Sequence, residues 1–226
     1  MEHLLSNPVY HALNGIDAHL GNGAGQVKYF DEAVSPFAGF PHDYEKGFEE
    51  LHQLLQADRK IIYANPQRVK QPKGWKVLHE IPGLQFVFTG KAEPVTVNLK
   101  LVSLNKEHVP EMIELTALTK PGPFSSRTIE FGHYYGIFEN ERLAAMTGQR
   151  LHVQNYTEIS AVCTHPDFLG RGFAGALLTH QLNLIISQGQ VPFLHVREDN
   201  SRAIALYERL GFTVSRPMNF YFMIRE

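Results

Sequence analysis

The stretch THPDFLGRGFAGALL, from Thr164 to Leu178, decides how this chain is read. It reads as a strand end, a turn, two glycines and the start of an amphipathic helix. Gly170 and Gly172 remove side chains where a bulky anion needs bare backbone. A helix that begins there aims its orphan N–H groups, and the positive end of its dipole, at one spot. The combination is a site for phosphate or pyrophosphate.

The pattern on either side is regular. Downstream, Phe173, Leu177, Leu178, Leu182 and Ile185 recur on one helical face, and Gly189 closes that helix. Residues 191–196 are a short apolar strand. Asn200 caps a helix that runs to Leu210, and Gly211 ends it. Residues 212–215 and 220–224 are read as two final strands. Upstream, residues 157–164 are a strand, and residues 134–139 and 142–152 form a hairpin that turns near Asn140-Glu141. A helix over about 105–120 stops at Pro121-Gly122-Pro123, and residues 95–101 alternate as a strand.

The stretch 71–94 holds Pro72, Gly74, Pro82, Gly83, Gly90 and Pro94, punctuation that leaves room only for short strands such as 84–89. It sets the expected division: an N-terminal α/β region over 1–94 and a second domain over 95–226. In the first region Asn7 is read as capping a helix to Leu20. Residues 44–57 are a better helix and 60–64 a strand. The GNGAG at Gly21–Gly25 lacks the dinucleotide spacing and a preceding apolar strand, so it is read as a plain turn.

Composition sets the outer bounds. The chain has 226 residues, 43% hydrophobic and 19% charged, enough for a real core. A formal net charge of −2 argues against broad nucleic-acid binding. No apolar run has the length of a membrane span, and the N-terminus lacks the pattern of a signal peptide. Cys163 is the only cysteine. Together these point to a cytoplasmic protein. The twelve histidines show no ligand spacing, so no metal is expected.

Three features occur in order: the strand ending Val-Cys-Thr-His-Pro, the glycine turn, and a later helix spelling NSRAIALYERLGF. Together they resemble the GNAT superfamily of acyl-CoA-dependent N-acyltransferases, over about residues 96–226. The resemblance implies a GNAT-like α/β fold, with a mixed, mainly antiparallel sheet flanked by helices and splayed between two parallel strands. It also implies acetyl-CoA as co-substrate and direct attack by a primary amine in a ternary complex. The acceptor would be a small-molecule amine or a peptide N-terminus, and the protein a monomer or homodimer. The alternative is an acyl-CoA-binding sensor or scaffold of the same fold. A nucleotide-binding protein is a weaker rival, since the lysine and serine or threonine of a P-loop are missing.

The family motif Q/R-x-x-G-x-G/A falls on Leu169, Gly170, Arg171, Gly172, Phe173 and Ala174, with Leu169 departing from the usual polar residue. The resemblance places the pyrophosphate over the amides of Gly170 to Ala174, and the pantetheine along Val162, Cys163 and Thr164. The Val162 N–H is then a partner for the thioester oxygen, where charge develops. The family's tyrosine near the coenzyme sulfur, a proton donor to the departing thiolate, falls on Tyr207. Asn200, which shares its helical face, contacts the pantetheine or acts only as a cap.

Glu158 is the candidate general base, a partly buried carboxylate with a raised pKa, or else an ion-pair partner or a ligand for the substrate ammonium. Phe124 and Arg127, after the first helix of the second domain, are candidate walls of the acceptor pocket, with Arg127 equally readable as a solvated surface residue. Cys163 faces the core and is read as inert. The order helix, strand, helix, strand in the first region is read as a degenerate acyltransferase-like half or, alternatively, as an unrelated extension. Its run FEELHQLLQADRKIIYANP resembles the family's cofactor helix and strand, without the glycine turn.

Overall fold

The computed structural model describes residues 3–90 and 99–226. Among these residues eleven strands form one mixed sheet in the order β1-β2-β3-β4-β11-β5-β10-β9-β8-β7-β6. In chain order these are β1 (Gly21–Ala24), β2 (Val27–Phe30), β3 (Phe37–Gly39), β4 (Lys60–Asn65), β5 (Trp75–Phe88), β6 (Val102–Ser103), β7 (Tyr135–Glu139), β8 (Arg142–Val153), β9 (Tyr156–Thr164), β10 (Val191–Arg197) and β11 (Phe212–Arg225). The helices are α1 (Pro8–Leu13), α2 (Gly47–Leu54), α3 (Val109–Thr119), α4 (Phe173–Ser187) and α5 (Ser201–Arg209). The α/β class and GNAT-like sheet expected from sequence are present.

The strand order repeats about its centre. β3 and β4 pair in parallel across the crossover helix α2, as β9 and β10 do across α4. Every other pairing is antiparallel among the described residues. The two long strands at the centre are exchanged. β5, from the first half of the sequence, pairs with β10, and β11, from the end, pairs with β4. One sheet therefore runs unbroken across the division expected at residue 94.

The sheet curls strongly. β3 and β8 are six steps apart in strand order, about 29 Å if the sheet were flat. Yet the Arg150 guanidinium of β8 lies 4.9 Å from the centre of the Phe37 ring of β3. Inside the curl a core of Leu5, Val9, Phe30, Phe37, Ile62, Met112, Tyr134, Met146 and Phe193 joins both halves of the sequence. On the outer face Leu178, Leu182 and Ile185 of α4 pack with Phe86, Ile159, Leu194 and Tyr207. Each large apolar side chain buried in this way stabilises the fold by about 1.5–3 kcal/mol.

Several elements differ from their sequence reading. Pro82 and Gly83 do not break β5, because Pro82 needs no amide partner and its carbonyl accepts from the Glu198 N–H at 3.2 Å. The two expected final strands are one, β11, which accommodates Arg216 and Pro217 by a bulge between Val214 and Arg216. The long helix expected after Asn7 is broken at Gly15 into α1 and a 3-10 turn, Ile16–Leu20. Asn7 does not cap it; its side-chain amide donates instead to the Phe40 carbonyl at 2.8 Å. The expected strand over 95–101 falls partly outside the described residues, and 99–101 are not a strand. Asn140 and Glu141 turn the β7–β8 hairpin with φ of 51° and 63°.

Candidate active site

β9 ends in the glycine turn. Gly170 and Gly172 have φ of +81° and +78°, a region where side chains are strained. A Cβ built at either would meet nothing within 4 Å, so the space beside this backbone is open. Gly172 is the N-cap of α4, and the first amide to return to the helix is that of Ala176, to the Gly172 carbonyl at 3.0 Å. Among the described residues the N–H groups of Gly170 through Gly175 have no acceptor within the chain. The first turn of α4 carries no acidic residue. This is a positive cradle at a helix N-terminus, open beside its glycines. Arg171 stands beside it, 3.7 Å from Glu139 and stacked on the Phe168 ring at 5.1 Å.

The cradle opens into a cavity of about 1140 Å³. β9 and β10 pair only through Tyr156–Glu158 and Val191–Phe193, then diverge, and the cavity enters between them. A bulge in β9 marks the divergence. Cys163 pairs with Met146 and Ser160 with Gly148, so Ala161 and Val162 both oppose Thr147, and Ala161 has φ of +53°. Strained non-glycine backbone of this kind persists only where the surroundings enforce it. Val162, Cys163 and Thr164 all line the cavity beyond the bulge.

Of the residues singled out from sequence, all but one border this cavity. Leu169 to Ala174, Val162 to Thr164, Asn200, Tyr207, Glu158 and Phe124 line it; Arg127 does not. Arg127 instead forms surface ion pairs with Glu130 at 2.8 Å and Asp31 at 3.2 Å, which corrects its expected place in the acceptor wall. The Asn200 side chain accepts from the Ala203 N–H at 3.1 Å, a regular N-cap, while the residue still borders the cavity. Tyr207 is buried, and burial pushes its pKa up to about 12, so it holds its proton throughout the neutral range. Burial likewise raises the Cys163 thiol to about 12, which keeps it from being a nucleophile.

Glu158 is unlike its sequence reading. It is 1% exposed. Arg150 grips it in a bidentate pair, Nε to Oε2 at 2.9 Å and Nη2 to Oε1 at 2.8 Å. His195 Nδ1 lies 2.8 Å from the same Oε1. Burial by itself would raise the carboxyl pKa, but the Arg150 charge and the hydrogen bonds from Arg150 and His195 outweigh it and hold the pKa at about 2. The expected raised pKa is therefore overturned: a carboxylate this well satisfied takes up no proton at neutral pH.

The His195 ring is fixed as well. The Gln85 amide nitrogen donates to the Leu5 carbonyl at 2.8 Å and lies 3.0 Å from His195 Nε2. Since the Leu5 carbonyl only accepts, the amide orientation is set, Nε2 accepts, and Nδ1 carries the hydrogen that goes to Glu158. Sequence reading missed Arg150, His195 and Gln85. The cue that existed was weak: three polar residues inside apolar strands at alternate positions with buried neighbours.

The apolar part of the cavity is walled by strands of the first half and by β11. Phe37, Ile62, Ile81, Phe220 and Phe222 line it. Register partners Ile62 with Phe222, and Ile81 with Phe220, put these side chains on one face. Among the described residues no group of three or more His, Cys, Asp or Glu is placed to hold a metal ion, and no helix is long and apolar enough to cross a membrane.

Comparison with known proteins gives the same outline. Residues 134–221 match the family model described as FR47-like protein. A solved structure from Novosphingobium aromaticivorans, of a protein assigned to the GNAT family as an acetyltransferase, is 34% identical. The match covers 100% of both chains, with a TM-score of 0.93. A GCN5-related N-acetyltransferase from Kribbella flavida, 13% identical, shares the fold over 94% of this chain and 95% of its own with a TM-score of 0.59. An acetyltransferase of Yersinia enterocolitica is 48% identical over 50 residues, 21% of this chain. That match spans only 35% of the Yersinia protein's length.

Proposed function

Because the chain belongs to the GNAT family of acetyltransferases, we propose that it transfers an acetyl group from acetyl-CoA to a primary amine. The observation that carries the reading is the row of amides at Gly170–Gly175 without an acceptor among the described residues, opening on a cavity where a Cβ built on Gly170, Gly172 or Gly175 would meet nothing within 4 Å. Those amides fit the coenzyme diphosphate, and Arg171 fits it as a charge-assisted donor. The splayed edge of β9 fits a pantetheine arm paired as an added strand.

Acetyl-CoA supplies the thioester that the acceptor amine attacks directly, without an acyl-enzyme. The Val162 N–H, beside the bulge and in the cavity lining, would stabilise the charge that develops on the thioester oxygen. Tyr207 is the general acid for the departing thiolate: it is protonated at any working pH and lines the cavity. Glu158 is not assigned as the base. With its pKa at about 2 and its oxygens engaged, it positions Arg150 and His195 instead. The amine proton leaves through water. The first half of the sequence acts as a copy without a coenzyme site, and its strands wall the acceptor end.

Calorimetry with coenzyme A and thiol release from acetyl-CoA test this reading together. Binding with amine-dependent thiol release is expected. Binding without release for any amine would favour a sensor of the same fold, and the absence of binding would remove the reading.

A further inference from the structure

The charges around the cavity restrict the acceptor. Among the described residues six lysine and arginine side chains border it, against a single carboxylate, Glu158. That carboxylate is fully engaged by Arg150 and His195. A polycation entering here would find cations and no available anion, and burying an ammonium without a partner is costly.

Arg150 differs from the other five cations. It lies at the apolar end, over the Phe37 ring, with Nε and Nη2 bound to Glu158. Its Nη1 has no hydrogen bond among the described residues, and it is not one of the buried, partnerless side-chain atoms. An N–H edge of this group is thus left for a ligand, in a setting that favours a carboxylate. Around it stand Phe220, 6.4 Å from Phe37 and 5.3 Å from the His195 ring, with Ile62, Ile81 and Phe222 completing an apolar wall.

We propose that the acceptor is a primary amine bearing a carboxylate on a large apolar body, the class of the aromatic and branched α-amino acids, with its carboxylate on Arg150 and its side chain against Phe220 and Phe222. The proposal rests on the acetyltransferase reading above. It also fits the described lining, which offers no unengaged carboxylate for the ammonium, since the substrate brings its own negative charge.

The test is thiol release from acetyl-CoA with L-phenylalanine, L-leucine, L-phenylalaninamide and spermidine, with coenzyme A binding measured by calorimetry on the same preparation. The two amino acids are expected to exceed spermidine in kcat/KM by at least about tenfold. L-Phenylalaninamide should fall below L-phenylalanine by about tenfold, the size of one charge-assisted hydrogen bond. Equal rates for the amide and the acid overturn the carboxylate assignment. Spermidine matching or exceeding the amino acids overturns the class. Intact coenzyme binding with no amino acid turned over overturns this proposal and leaves the family reading standing, whereas no coenzyme binding removes both. A Phe222→Glu variant supplies a second measurement: a carboxylate in the wall should lower L-phenylalanine turnover and raise that of spermidine, and an unchanged ranking in the folded variant overturns the placement of the wall.

Discussion

The N-termini of α4 and α2 occupy matching places in the two halves of the sheet, each on the crossover between two parallel strands. At α4 a Cβ on Gly170 or Gly172 meets open space. At α2 a Cβ on Gly47 would lie 2.1 Å from the Phe40 ring. Phe40 itself stacks on Tyr63 at 5.0 Å and meets Phe48 edge-on at 4.9 Å. The first turn of α2 carries Glu49 and Glu50, where α4 carries no acid. The same backbone topology thus yields a row of open amides in one half and an aromatic plug with acidic residues beside it in the other. A helix N-terminus becomes a site only when side chains are kept away from it.

The parallel rungs differ in the same sense. Phe37 with Ile62 and Ala38 with Tyr63 make the first pair apolar, whereas Glu158 stands opposite Phe193 in the second. Breaking that contrast should have the largest effect. Glu158→Ala leaves Arg150 charged and buried without its partner, and should destabilise the fold by about 3–5 kcal/mol in chemical denaturation. The acid limb follows from the sign of the shift. The Glu158 pKa is lowered from the ordinary 4.5 to about 2, so its contribution is present above about pH 4.5 and is lost as pH falls through about 2. Glu158→Gln should flatten that part of the stability profile and leave the pH–rate profile near neutrality without a new step; loss of a rate-controlling ionisation near pH 7 would restore Glu158 as a base.

Tyr207→Phe comes next. It removes the proposed proton donor but keeps the ring against Phe86 and Phe212, and should lower kcat on the order of 100-fold with coenzyme affinity little changed. Unchanged kcat would move the acid elsewhere.

A paired substitution sharpens the comparison directly. Gly172→Asp places a strained residue and a negative charge in the open cradle, and should weaken coenzyme A binding by about 30-fold, or about 2 kcal/mol. Gly47→Ala in the plugged corner should cost about 1–2 kcal/mol of stability by crowding Phe40, with coenzyme binding untouched. If both substitutions weakened coenzyme binding equally, the two corners would not differ in the way described. The smallest effect is expected for Asn200→Ala, about 1 kcal/mol of stability from the lost cap, read by thermal melting.

The second half was more legible in the sequence than the first because its signals are local. Glycines at 170, 172, 189 and 211 take positive φ, and Asn200 caps; each acts within a turn of its own position. The first half is held by distant partners. Asn7 binds the Phe40 carbonyl, and Gln85 binds the Leu5 carbonyl across 80 residues. Nothing near Asn7 in the chain announces that bond, so a capping residue was expected to cap.

Sequence alone determined the strand-turn-helix that bares the amides, the later tyrosine helix and the family they identify, because backbone conformation at glycines and caps is set by neighbours a few positions away. Tertiary structure alone decided the exchange of β5 and β11, the apolar wall of the cavity and the protonation of Glu158. A carboxylate's pKa depends on the charges and hydrogen-bond donors within a few ångströms, and here those come from residues 8 and 37 positions away, brought together only when the sheet curls.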